Sequence, residues 1–166
     1  MDAIEFLNIA LETSKQDDLK EAELRNAIGR LYYYCYHEAK SLIFANEECH
    51  KIYEQALLSN SAHKSIFQTF YEYSKSTRNL RYGTLSRLLK DIHTERCNAD
   101  YELDISFKKS DLISLIKLLV EIKKNIDELK LSFFQIEIDE FIPKKVEVRK
   151  RTSTPEERRK NLKLVD

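Results

Sequence analysis

Glycine and proline are nearly missing from this chain, with two of each in 166 residues. That scarcity excludes architectures built on hairpins and tight turns, which need left-handed or preset backbone angles at every reversal. Long apolar runs are missing too. No stretch approaches the ~18 residues that a membrane span needs, so no membrane segment is expected. Cysteine is limited to Cys35, Cys49 and Cys97. An odd number without metal-ligand spacing argues against a disulfide framework or a metal site and for a reducing, cytoplasmic setting. The segment "MDAIEFLNIALETSK" opens with an acid and offers neither a basic region nor a small-residue cleavage site, so it does not read as a signal peptide.

What is present favours helices. The chain is 42% hydrophobic and 34% charged, enough apolar content for one core and enough charge to solvate long amphipathic surfaces. Its length fits one domain with an appendage. The formal net charge is zero, but it is unevenly spread. Residues 143–166 hold nine basic and four acidic side chains, a net of +5, which leaves the first 142 residues at −5. An acidic body with a basic tail suits either nucleic acid or an acidic partner.

Periodicity divides the chain as follows. Ile4 to Leu11 suggests a first helix, closed by the polar "SKQDDLK". A second runs from about Asp17 to Ala45, with Ala27, Ile28, Leu31, Tyr34, Cys35, Ala39, Leu42 and Ile43 at helical spacing. Asp17 or Asp18 is its expected cap, and Glu21 and Glu23 suit its N-terminal dipole. Asn60 or Ser61 caps a third helix over about Ala62 to Ser74, and Leu85, Leu88, Leu89 and Ile92 mark a fourth that delivers the chain to Arg96. A fifth starts at Ser110. Its stripe of Leu112, Leu115, Ile116, Leu119, Ile122, Ile126 and Leu129, widened by Ile113 and Val120, predicts burial against more than one helix. Beyond Phe134, "FQIEIDEF" and "KVEVRKR" alternate apolar with polar, which predicts extended chain or a small hairpin. Thr154, Pro155 and Glu157 then supply a capping box for a short basic helix.

Three constellations carry chemistry. In "RNAIGRLYYYCYHEAK", Arg30, Tyr33 or Tyr34, and His37 fall on one helix face, as an amphipathic core seam with polar tips also would. Arg30 precedes His37, and Arg87 precedes His93, at spacings that would let arginine hold a phosphate while histidine moves a proton. With ten arginines and four histidines, roughly 0.7 such coincidences arise by composition alone, so the spacings decide nothing. In "ERCNADYELD", Arg96, Asn98, Asp100 and Tyr101 gather a five-donor fork, an amide, a carboxylate and a phenol at a helix junction. A structural Arg96–Asp100 tie would use the same residues.

Together these segments resemble the HEPN superfamily, the higher eukaryote and prokaryote nucleotide-binding domain, in its small single-domain prokaryotic form. Arg30, Tyr32, Tyr33, His37 and Ala39 stand where the signature helix has its Arg-x-Tyr-Tyr core and following His and Ala. "AHKSIFQTF" resembles the next helix start through His63 and Lys64, and Arg96, Ala99, Asp100 and Tyr101 resemble the Arg-x-x-Ala-Asp-Tyr segment. The resemblance covers about residues 1–130. It implies an all-α, up-and-down bundle of four to five helices over 1–132, usually a homodimer; the extended basic tail over 133–166 lies outside it and is read from charge and alternation alone. It also implies a metal-independent endoribonuclease of toxin–antitoxin or antiphage kind, needing no cofactor and acting on single-stranded RNA or tRNA loops. Arg96, Asp100, Tyr101 and His93 would be catalytic, with Arg30, Tyr33, His37 and Asn98 binding phosphate or nucleic acid; Lys150 and Arg151, outside the resemblance, would join them through the charge of the basic tail. The chain departs from the family where Arg96 plus four residues reaches Tyr101 rather than histidine. A phenol with pKa ~10 is a poor base at neutral pH. That departure leaves room for a silent relative binding a nucleotide or a nucleotidyltransferase-type partner, with His93 or His37 as substitutes for the missing imidazole in the enzyme.

Overall fold

The computed structural model describes residues 2–141, and every regular element among them is an α-helix. In order these are α1 (Ala3–Ser14), α2 (Glu21–Phe44), α3 (Glu47–Leu57), α4 (Ala62–Thr77), α5 (Leu80–Tyr101) and α6 (Lys109–Phe141). None is long and apolar enough to cross a membrane. Met1–Phe134 forms one compact unit, in which the core and the site lie; of the second, Gln135–Asp166, the described residues end α6 at Phe141.

Local chemistry accounts for the helix ends. At α1, the Asp2 carboxylate accepts the Ile4 N–H while Glu5 accepts the Asp2 N–H, each satisfying a donor that the first turn leaves free. Ser61 caps α4 as expected. At α2 the cap position is Lys20 rather than Asp17 or Asp18; Glu23 instead reaches back to the Lys20 N–H at 2.8 Å. Asn46 accepts the Cys49 N–H at 2.8 Å and so starts α3, a helix that the periodicity did not reveal. Its apolar face is thin: among its eleven residues only Cys49, Tyr53 and Ala56 are buried.

The helix α2 is central and touches α1, α3, α4 and α5. All eight of its expected core residues, from Ala27 to Ile43, are buried. From α6, Leu112, Leu115, Leu119, Ile122, Ile126 and Leu129 join the same cluster, with Ile116 packed partly against it. Each such side chain contributes on the order of 1.5–3 kcal/mol when removed from water, which is what holds the helices together. Ile113 and Val120 do not share in this: they are 42% and 61% exposed, so the predicted second buried face is open to solvent in the described chain.

Two helices outrun their predicted ends. The helix α5 continues through "RCNADY" to Tyr101, because nothing in that segment breaks it and Arg25 satisfies its last carbonyls. The helix α6 continues through Phe141 although "FQIEIDEF" alternates. That stretch contains no glycine or proline before Pro143 and is rich in Glu and Gln. A helix already nucleated over many turns therefore propagates through it at little cost. Lys150, Arg151 and the predicted terminal helix lie outside the described residues.

Candidate functional site

Arg96 sits in the last turns of α5 with its side chain only 12% exposed. Its guanidinium lies over three phenol rings, those of Tyr32 and Tyr33 from α2 and Tyr101 from α5, at 5.9, 5.8 and 5.3 Å. Cation–π attraction is strongest where water is excluded, so these rings hold the cation as well as cover it. Asp100 Oδ2 is 2.8 Å from Nε, yet that N–H is buried without a properly directed hydrogen bond. We therefore treat the pair as charge attraction rather than a directional fork. The Tyr101 hydroxyl completes the surroundings at 3.4 Å from Nη1. At Gly29 of α2 an added Cβ would lie 3.9 Å from the Asp100 carboxylate, an ordinary contact, so the packing here does not require glycine.

Two imidazoles join the same cluster through Tyr32. His93 precedes Arg96 by one turn of α5, and His63 comes from the first turn of α4, their ring centroids 5.9 Å apart. Tyr32 lies beside both rings, at 5.5 Å from His63 and 5.3 Å from His93, and its hydroxyl is 2.6 Å from His63 Nδ1. Burial, helped by the nearby Arg96 charge, holds His63 below the ordinary histidine range. Burial does the same to His93, with the charges of His63, Arg96 and Lys64 adding to it. Both rings are thus biased toward their neutral forms. Cys97 Sγ stands 3.8 and 3.7 Å from the two ring nitrogens of His93, so it favours neither tautomer.

The remaining sequence candidates divide. Tyr33 joins the cluster and also bridges to α1, stacking with Phe6 at 5.8 Å. Arg30 and His37 instead pack on Phe6 from the far side of that ring group, at 5.5 and 5.8 Å. Among the described residues no hydrogen bond, ion pair or ring contact joins either to Arg96, and His37 reaches the cluster only through Phe6 and through Tyr36, whose ring lies 5.4 Å from it. Nor does Arg87 pair with His93; it bonds Asp91 at 3.1 Å. Asn98, two residues after Arg96, falls on the opposite side of α5 by helical spacing, and its backbone carbonyl accepts from Arg25 at 3.4 Å. His63 is the member that spacing could not find: the sequence marks it as part of a helix start, and only packing places it on Tyr32.

Arg25 was not singled out either. Its guanidinium donates to the backbone carbonyls of Asn98, Ala99, Glu102 and Ile105, is anchored by Glu21 at 2.8 Å, and lies over Phe107. It ties the end of α5 and the turn that follows to α2, and so fixes the turn that carries Asp100 and Tyr101.

No family model, curated protein or solved structure matches the chain. The chemistry must therefore be weighed on the geometry. A cavity of about 590 Å³ lies elsewhere, between α5, the connection after it and α6, lined in part by Asp91, Glu95 and Asp111. Those carboxylates make it a poor receptor for an anion. On α5, Asp91 and Glu95 occupy the face opposite His93 and Arg96, so this cavity and the Arg96 cluster lie on different sides of that helix. No group of three or more His, Cys, Asp or Glu stands together to hold a metal among the described residues.

Proposed function

We propose that the chain is a HEPN-type, metal-independent endoribonuclease acting on single-stranded RNA or tRNA loops, of the toxin–antitoxin or antiphage kind. The observation that carries this reading is a largely buried arginine clustered with two imidazoles biased toward neutrality. Arg96 holds the scissile phosphate and neutralises the charge that builds on it. His93 takes the proton from the neighbouring 2′-hydroxyl, whose oxygen attacks phosphorus to give a 2′,3′-cyclic phosphate as the 5′-oxygen leaves and takes up a proton from water. Tyr101, a donor and not a base, hydrogen-bonds a phosphoryl oxygen where the family motif has histidine. Asp100 keeps Arg96 in place. A homodimer, as in the family it resembles, would set two such clusters in one assembly.

The test is incubation with total RNA and a tRNA pool in EDTA, at two salt concentrations. The wild type cuts, leaving cyclic-phosphate ends, and Arg96→Ala lowers the rate by roughly 10² to 10³ with its helical circular dichroism unchanged. Undiminished cleavage by Arg96→Ala sinks the assignment. One observation favours a second reading, a silent module that binds a nucleotide or a nucleotidyltransferase-type partner: Asp100 and Tyr101 already engage the guanidinium. A folded wild type that retains the tRNA pool without cutting it selects that reading.

A further inference from the structure

We infer that Tyr32 holds His63 in the Nε2–H tautomer, making it a fixed hydrogen-bond donor that grips a phosphoryl oxygen beside Arg96 rather than a base. The inference rests on the reading of Arg96 as the phosphate-holding group, but it does not need RNA to be cut.

The argument starts from the bond between the Tyr32 hydroxyl and His63 Nδ1, at 2.6 Å. Tyr32 is 3% exposed, and burial pushes its phenol far above the ordinary range, so it keeps its proton. Such a bond can run either way between neutral groups, O–H to Nδ1 or Nδ1–H to oxygen. A phenol is a good donor and a poor acceptor, while an imidazole lone pair is a good acceptor, so the short contact runs from the hydroxyl to Nδ1. The proton of the neutral ring then sits on Nε2. Arg96, over the Tyr32 ring at 5.9 Å, strengthens the phenol as a donor through its charge.

The groups around His63 leave this assignment standing. From α2 come Tyr32, Tyr33 and Tyr36, whose rings lie 5.5, 6.4 and 4.9 Å from it. From α5 come His93, its ring 5.9 Å away, and the Arg96 charge, which disfavours an imidazolium. No carboxylate is among the causes acting on its ionisation. His93, whose thiol neighbour fixes neither nitrogen, is free to cycle its proton. Two rings of one residue type are thereby given different work by one phenol. The ligand that such a receptor takes is a phosphate monoester or diester: an arginine cation with a neutral N–H beside it matches adjacent phosphoryl oxygens.

Nitrogen-15 NMR of the imidazoles above pH 7 tests the inference on the full chain, with inorganic phosphate and an uncleavable 2′-deoxy dinucleoside monophosphate as probes. The expected result is a pyridine-type Nδ1 and a pyrrole-type Nε2 at His63, with averaging of the two in Tyr32→Phe. Both probes should shift the Nε2 signal. Loss of the donor in His63→Leu should weaken their binding roughly tenfold, while His63→Gln, whose amide can keep a donor there, retains most of it. A wild-type His63 protonated on Nδ1, or unaltered probe affinity in His63→Leu, overturns the inference. Failure to cut RNA with these signatures intact overturns the enzyme reading alone.

Discussion

Arg96 and its two imidazoles make a prediction about pH that is independent of any substrate. His63 and His93 are both held below the ordinary value of 6.5, chiefly by burial. The folded chain therefore binds fewer protons than the unfolded chain as pH falls through that range. Their favourable contribution is complete above pH 6.5 and is lost as pH drops through 6.5 to the lower folded values. Urea midpoints measured from above neutrality down through mildly acidic pH should fall, and the fall should flatten in the double variant His63→Gln, His93→Gln. A wild-type profile that rises toward acid would contradict the burial of these rings. At this scale the sequence was half legible. Arg96, Asp100, Tyr101, Tyr33 and His93 were visible as chemistry-bearing residues, and the structure brings them together. Arg30, His37 and Asn98 have the same chemistry and lie elsewhere, because side-chain type says nothing about which neighbouring helix a face meets.

Among the elements, the end of α5 matters most to the site, and Arg25 secures it. Its planar fork reaches carbonyls on both sides of the α5 terminus, which a single ammonium could not do. Arg25→Ala should cost roughly 2–3 kcal/mol and Arg25→Lys nearly as much, read from urea unfolding. Hydrogen exchange should rise first at Asn98 to Ile105. Equal protection there in variant and wild type would mean that the α5 end is held by other contacts. The interaction joins residues more than seventy positions apart, which is why neither segment announces it. The missed helix α3 is short, eleven residues of which only three are buried. The extension of α6 through Phe141 shows the opposite failure, where a period of two over a few residues yields to a helix that already exists.

For the whole molecule, charge is the property that the sequence carries most plainly. A body of −5 and residues 143–166 at +5 predict that RNA retention depends on the tail, since phosphate neutralisation releases counterions. Removing 143–166 should weaken retention of a tRNA pool and flatten its dependence on salt, measured by filter binding across a salt series. An unchanged slope would place the phosphate contacts wholly in the body. By itself the sequence determined that the described chain is helical, that α2 and α6 carry broad apolar stripes, and that an arginine, a carboxylate and a phenol gather after the Leu85–Ile92 stripe. These follow from local periodicity, the scarcity of turn formers and neighbouring positions on one helix, all of which are properties of short segments. Only the tertiary structure decided that His63 meets Tyr32, that His37 turns to Phe6, and that Arg25 binds the α5 end. Each of those depends on how one helix is set against another, and that setting is fixed by the packing of the whole core rather than by any stretch of chain.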